Sequence, residues 1–230
     1  MTPAETAVAD PTPQAFLFAD IAGFTALTEA HGDEQAADVV EHFCEHAAAL
    51  LQRLGGEQVK TIGDAVMVRA DSADSAVRFG IDLAHHRMRQ HEHPMVSVGI
   101  AWGPASERNG EWLGTTVNTA ARLADLASSG EVLITAAGRA ATGEIGGVRF
   151  EGRGRVSLRG LRRGVEIFEA RCEDPAAALF IDPVCRMALD PHRSHATKTH
   201  GGVSYHFCST ACLRAFEVEP QTFVARAVET

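Results

Sequence analysis

Through its first 171 residues the chain carries a single cysteine, Cys44, so nothing there can form a disulfide framework. It also lacks any apolar run of membrane-spanning length. Its opening, Met-Thr-Pro-Ala-Glu-Thr, has neither the basic nor the apolar segment of a secretory leader. Positive charge is not in surplus either: a net charge of −9 speaks against a dedicated nucleic-acid surface. These absences lead us to expect a cytoplasmic protein with neither membrane nor nucleic acid as partner. What is present is a chain of 230 residues, 45% hydrophobic and 22% charged, long enough for one full domain and a small extra one. The other four cysteines, Cys172, Cys185, Cys208 and Cys212, crowd into the C-terminal part, which points to metal or redox chemistry there.

Residues 1–13, rich in Pro, Thr and Ala without periodicity, read as a disordered arm. Ala15 to Asp20 is a short apolar run suited to a buried strand, and Ile21 to Thr28 reads as a turn into a helix. Asp20 then lies at a strand end, beside a helix start whose amides at Gly23, Phe24 and Thr25 can receive a phosphate. By itself Asp20 serves equally well as a helix cap. From Asp33 to Leu54 apolar residues recur at helical spacing, with Cys44 on the apolar face as plain core, and Gly55-Gly56 ends the helix.

Val59-Lys-Thr-Ile-Gly-Asp-Ala-Val-Met67 suits a tight hairpin with Asp64 at its tip, because glycine accepts the backbone such turns require. Lys60, four residues earlier, is expected on the same face of the ribbon. Ser72 to Gln90 reads as a helix ending in a group of histidines, His85, His86, His91 and His93, which a solvated helix end explains without a metal. Met95–Trp102 alternates as a strand, and Asn109-Gly110 marks a turn. From Thr115 the pattern is helical, which places Asn118 and Arg122 on one face, one turn apart, either to hold a sugar and a phosphate or as an exposed polar surface. Glu131–Thr135 reads as a strand, and Val148–Leu158 with Val165–Ala170 as a closing pair. That pair and its loop carry Arg149, Arg153, Arg155, Arg159, Arg162 and Arg163, a basic patch that suits a polyphosphate or simply solvated strands. The order of elements predicts an α+β fold, a ferredoxin-like βαββαβ sandwich whose helices cover one sheet face, with a small C-terminal cysteine-containing metal-binding module.

Three stretches, Phe18-Ala-Asp20-Ile-Ala-Gly-Phe-Thr25, Val59-Lys60-Thr-Ile-Gly-Asp64 and Val117-Asn118-Thr-Ala-Ala-Arg122-Leu123, resemble in order and spacing the signatures of class III adenylate/guanylate cyclases. The resemblance covers residues 14–171. It implies that Asp20 and Asp64, helped by the Ile21 carbonyl, hold two Mg²⁺ or Mn²⁺ ions, and that Gly23, Phe24 and Thr25 cradle the β- and γ-phosphates. It implies that Asn118 orients the ribose, that Arg122 stabilises charge at the α-phosphate, and that Arg159 stands where the family often has a triphosphate-binding lysine. Lys60, a pure donor, suits adenine N1, and Glu111 accepts from the 6-amino group, so ATP is the expected substrate. Many members have Asp, and some Thr, where this chain has Glu111. In the family the two aspartates come from one subunit and the base, ribose and phosphate contacts from its partner, so a homodimer with interfacial active sites is implied.

After a linker over 172–179, Asp182-Pro-Val-Cys185-Arg-Met, Gly202-Val-Ser-Tyr205-His-Phe-Cys208-Ser-Thr-Ala-Cys212, Phe216 and Pro220 resemble the YHS domain and its TRASH-like relatives, over 180–230. Arg186 stands where that family usually has glycine. Cys185, Cys208 and Cys212, with His206 as the expected fourth ligand and His200 as an alternative, suit Zn²⁺ or Cu⁺. The expectation is an adenylate cyclase making 3′,5′-cyclic AMP and pyrophosphate, tuned by the metal or redox state of its tail. The alternatives are a nucleotide- and metal-binding signalling protein with little turnover, and a guanylate cyclase.

Overall fold

A computed structural model describes residues 12–85, 93–173, 180–190 and 194–228, with side chains as far as 224. Most of the expected N-terminal arm, His86, His91 and residues 174–179 of the expected linker lie outside the described residues. In chain order the first part contains β1 (Gln14–Ile21), α1 (Phe24–His31), α2 (Asp33–Leu54), β2 (Glu57–Ile62), β3 (Ala65–Ala70), α3 (Ala73–His85) and β4 (His93–Pro94). It continues with β5 (Val96–Gly103), β6 (Ser106–Arg108), β7 (Glu111–Leu113), α4 (Thr115–Leu126), β8 (Val132–Thr135), α5 (Ala136–Ala141), β9 (Val148–Val156) and β10 (Val165–Cys172). The tail adds β11 (Phe180–Ile181), β12 (Met187–Leu189), β13 (Ala196–His200), β14 (Val203–Phe207), α6 (Thr210–Val218) and α7 (Pro220–Val228).

Seven strands form one sheet in the order β2-β3-β1-β5-β8-β10-β9. Its first four members carry the ferredoxin-like arrangement, with β1 central and antiparallel to both β3 and β5. Period-two alternation sorts β1 between two cores. Ala15, Leu17 and Ala19 pack with α2 and α3 through Phe43, Ala47, Leu50, Val77 and Phe79. Phe16 and Phe18 face the other way, into a cluster with Val117 and Ala120 of α4. The expectation that helices cover one face is therefore corrected: α4 lies on the opposite face. Its seat is Gly99 of β5, where any Cβ would overlap the backbone of Ala120, Leu123 and Ala124. A bare backbone lets the helix press directly onto the strand, with Asn118 and Arg122 left on its exposed side.

The tail is joined to this body. β12 pairs with β4, Met187 opposite Pro94 and Ala188 opposite His93, to make a three-stranded sheet β11-β12-β4. Its apolar cluster of Val184, Cys185, Met187, Leu189, Phe207, Cys208, Cys212 and Phe216 includes Leu27 of α1, only 3% exposed. Phe24, at the start of α1, packs against both this cluster and the main core. Full burial of one such side chain is worth about 1.5–3 kcal/mol, so α1 is held by the tail as well as by α2.

Candidate active site and metal centre

The turn at the end of β1 positions the first group. Gly23 takes a left-handed conformation, φ 76°, and its carbonyl accepts the first helical hydrogen bond of α1 from the Leu27 N–H at 3.0 Å. Just before it, the Ile21 N–H donates to the Asp64 carbonyl at 3.3 Å, which locks the tip of the β2–β3 hairpin beside the end of β1. Asp20 and Asp64 are brought together by this ladder. Burial, then the Asp64 charge, then that of Asp125, pushes the Asp20 carboxyl up from 3.8 to about 6. Two half-buried carboxylates, with the Asp64 charge raising the proton affinity of Asp20, form a hard-oxygen donor set, the chemistry Mg²⁺ and Mn²⁺ prefer. Asp125 is a neighbour the sequence did not single out. It lies on α4, three residues after Arg122, with which it pairs at 2.8 Å.

The second group is built from β2 and the β6–β7 hairpin. Lys60 Nζ donates to the Glu111 carboxylate. These are the two residues expected to read the base, and a left-handed Asn109-Gly110 turn delivers Glu111 to the meeting point. Lys60, expected on the same face of the ribbon as Asp64, has the Glu111 carboxylate as its ion-pair partner. A bulge at Val59, between Gln58 and Lys60, precedes this stretch, and from Lys60 on the ladder with β3 is regular. Gly23 and Thr25 are exposed and Phe24 is half-buried, while Asn118 and Arg122 stand one turn apart on the open side of α4. Arg159 is exposed in the loop between β9 and β10. β9 is the edge strand opposite β2, four strands from β1, which separates it laterally from Asp20 by roughly 19 Å. The structure does not bring Arg159 to the aspartates of its own chain. Elsewhere in the basic patch, Arg153 is tied to Glu131 and Glu169, and Arg155 donates to the Gly164 carbonyl.

In the tail, Cys185 and Cys208 sulfurs lie 3.4 Å apart and Cys208 and Cys212 sulfurs 3.6 Å apart. Asp182, fully buried, fixes both cysteine loops: one carboxylate oxygen accepts from the Val184 and Cys185 N–H groups, the other from the Cys208 N–H at 2.8 Å. Burial lifts its carboxyl above the usual range, and the Cys208 and Val184 N–H groups partly oppose this. Ser209 caps α6 by accepting from the Cys212 N–H. Hydrogen bonds from Cys185 and Cys208 pull the Cys212 thiol below its usual range, while the Cys185 and Cys208 thiols are pushed up.

His206, the expected fourth ligand, is not in this group. Its ring stacks on Phe180 at 3.7 Å between centroids, and its Nδ1 lies 3.2 Å from the Ser194 hydroxyl. The alternative, His200, lies edge-on to Phe216. β14 ends at Phe207, so Cys208 already belongs to the turn into α6, and strand alternation does not carry His206 to the thiols with it. The imidazole that does join the thiols is His31, the last residue of α1, with Nε2 3.5 Å from Cys208 Sγ and 3.6 Å from Cys212 Sγ. The donor atoms of His31, Cys185, Cys208 and Cys212 all lie within 4.8 Å of one another. No local spacing betrays His31, because it is 177 residues from Cys208.

The sequence matches the profile of the Adenylate and Guanylate cyclase catalytic domain over residues 11–169. The chain belongs to that cyclase family. A YHS domain matches residues 180–227. An adenylate cyclase of Streptomyces coelicolor is 39% identical over 120 residues, covering 52% of this chain and 32% of the relative. A pH-sensitive adenylate cyclase of Mycobacterium tuberculosis is 33% identical over 177 residues, covering 73% of this chain and 44% of the relative. This cyclase-family chain thus spans less than half the length of both. In the tail, 52 residues are 38% identical to a copper-transporting P-type ATPase of Rhizobium leguminosarum, covering 23% of the chain and 6% of that protein. Among solved structures, the adenylyl cyclase CyaB from P. aeruginosa superposes with a TM-score of 0.60 at 23% identity, covering 72% of this chain and 95% of that one. At that identity the likeness speaks for the fold. Among the described residues no helix is long and apolar enough to cross a membrane.

Proposed function

We propose that this member of the cyclase family is an adenylate cyclase, converting ATP to 3′,5′-cyclic AMP and pyrophosphate in a homodimer whose active sites lie between the subunits. The observation that carries the reading is the meeting of Lys60 with Glu111, 51 residues apart in sequence. A donor and an acceptor side by side match the N1 acceptor and 6-amino donor of adenine. They mismatch guanine, which presents N–H and carbonyl at those positions. The named adenylate cyclases of similar sequence support the same choice.

Asp20 and Asp64 are the groups suited to hold two Mg²⁺ or Mn²⁺ ions, with the Ile21 carbonyl as a third donor. When bound, such ions make the ribose 3′-hydroxyl a better nucleophile and offset the charge of the departing pyrophosphate. The amides of Gly23, Phe24 and Thr25 supply N–H groups to the β- and γ-phosphates. Asn118 orients the ribose, and Arg122 meets negative charge growing at the α-phosphate. The roughly 19 Å between β9 and β1 supports a partner subunit as the user of Arg159. In this reading Arg122 exchanges Asp125 for the phosphate when the dimer closes over nucleotide. The tail holds a soft or borderline ion and sets how firmly α1 is docked, which places it to regulate turnover.

The test is product formation by purified protein with Mg²⁺ or Mn²⁺, comparing ATP with GTP, beside Asp64→Ala. We expect cyclic AMP, little cyclic GMP, and loss of product in the variant. A dimeric protein that binds ATP and releases no cyclic product would overturn the enzymatic reading and leave a nucleotide-binding signalling protein.

A further inference from the structure

Every donor in a YHS-type tail would ordinarily be sought in the tail itself, yet here the fourth comes from the other domain. We infer that His31 is a ligand of a Cys3His metal site spanning the two domains, which takes a zinc-class divalent ion through Cys185, Cys208, Cys212 and His31. The geometry suits a tetrahedral ion. Zinc-to-sulfur bonds of about 2.3 Å and zinc-to-nitrogen bonds of about 2.0 Å set sulfur–sulfur edges near 3.8 Å and sulfur–nitrogen edges near 3.5 Å. Four of the six separations, 3.4 and 3.6 Å from Cys208 Sγ to the other two sulfurs and 3.5 and 3.6 Å from Nε2 to Cys208 and Cys212 Sγ, are within a few tenths of those edges, and all six lie within 4.8 Å. The three cysteines are buried and His31 is half-buried, so the ion would sit in a water-poor, thiol-lined pocket backed by Asp182, whose hydrogen bonds fix the Cys185 and Cys208 backbones. Three thiolates and an imidazole are a closed structural set for zinc.

The position of His31 gives the site its consequence. α1 is eight residues long, about 12 Å from end to end, and begins at the Gly23 turn. At its far end stands His31 among the thiols. In its middle Leu27 is buried in the tail's apolar cluster. At its near end, a Cβ on Gly23 would lie 2.7 Å from Cγ of Arg186, the residue that follows ligand Cys185. Metal occupancy therefore clamps α1 at both ends and fixes the Gly23–Thr25 loop. The effect on turnover rests on the reading of that loop as the triphosphate cradle; the ligand assignment does not.

The ligand test uses full-length protein, stripped of metal and kept reduced, titrated with Co²⁺. Wild type is expected to bind one equivalent with tetrahedral d–d bands and thiolate charge-transfer absorbance, displaced by Zn²⁺. His31→Ala should weaken binding by about 10- to 100-fold or more and alter the d–d bands, whereas His206→Ala should match wild type. Should His31→Ala not fold, His31→Cys keeps four donors and is expected to raise the charge-transfer absorbance by roughly a third, as three thiolates become four. Hydrogen exchange over residues 24–31 reads the clamp without reference to catalysis: Zn²⁺ should slow it in wild type and not in His31→Ala. The inference is overturned if His31 variants match wild type in affinity and spectrum, if His206→Ala is the variant that changes, if Cu⁺ alone binds and ignores His31, or if Zn²⁺ leaves α1 exchange unaltered. An inactive protein that passes these tests would sink the cyclase reading and spare the metal site.

Discussion

Asp20 sits half-buried at the end of β1 with Asp64 and Asp125 as charged neighbours, and its carboxyl titrates near 6, against 3.8 in an unfolded chain. The fold therefore favours the protonated form. Ionising Asp20 carries no penalty below about pH 4, an increasing one between about 4 and 6, and the full penalty above that. Without divalent metal, Asp20→Asn is expected to raise the melting temperature near pH 7 and leave it unchanged near pH 4. Mg²⁺ or Mn²⁺ should stabilise wild type and not the variant, with an affinity that declines as pH falls through about 6. Calorimetry at the two pH values, with and without Mg²⁺, decides this; a variant stabilised by Mg²⁺ as much as wild type would remove Asp20 from the cation site. At this scale the sequence was legible wherever a side chain works beside its chain neighbours, as Gly23 does in its turn and Asp64 at its hairpin tip. It was silent where partners meet only through the fold. Nothing in Ala30-His31-Gly32 marks a metal ligand, and nothing around Asp125 marks a charge felt by Asp20.

α4 rests on Gly99 with no side chain between helix and strand. Gly99→Ala forces the helix outward, and an overpacked core of this kind costs about 1–3 kcal/mol. Because Asn118 and Arg122 ride on the displaced helix, the variant is expected to lose cyclase activity out of proportion to its fall in melting temperature, at temperatures where it remains folded. Gly152→Ala on β9 is the control, since a methyl there meets only Phe168 at 3.8 Å. Equal activity in both variants would mean that the seating of α4 does not matter to the site. The elements themselves could be read from periodicity: α2 spans Asp33–Leu54, as its apolar spacing and Gly55-Gly56 indicated. Their layering could not. β5 reads as Val-Ser-Val-Gly-Ile-Ala-Trp, buried on both faces, and a strand with two apolar faces does not say which helix covers which. For the same reason α4 was expected on the face that α2 and α3 already fill.

On the scale of the whole molecule, the proposed active site takes Asp20 and Asp64 from one subunit and Lys60, Glu111, Asn118 and Arg122 from its partner. Mixing Asp20→Asn and Arg122→Ala proteins, each inactive alone, should restore roughly a quarter of wild-type activity, because half the dimers are mixed and each of these has one intact site. No recovery after subunit exchange has been verified would argue that each chain completes its own site. The two-part organisation of the chain was visible in where its cysteines cluster. The docking of one part on the other was not, since β4 and α1 carry no mark of their partners. That docking bears on how the protein is made. A ribosome produces α1 before β12, β14 and α6, so until these emerge Leu27 lacks the tail's apolar cluster and His31 its thiols. The catalytic domain is then finished by residues that emerge after it, and a chain interrupted after β10 would expose the apolar side of α1 to the chaperones and proteases that police nascent proteins.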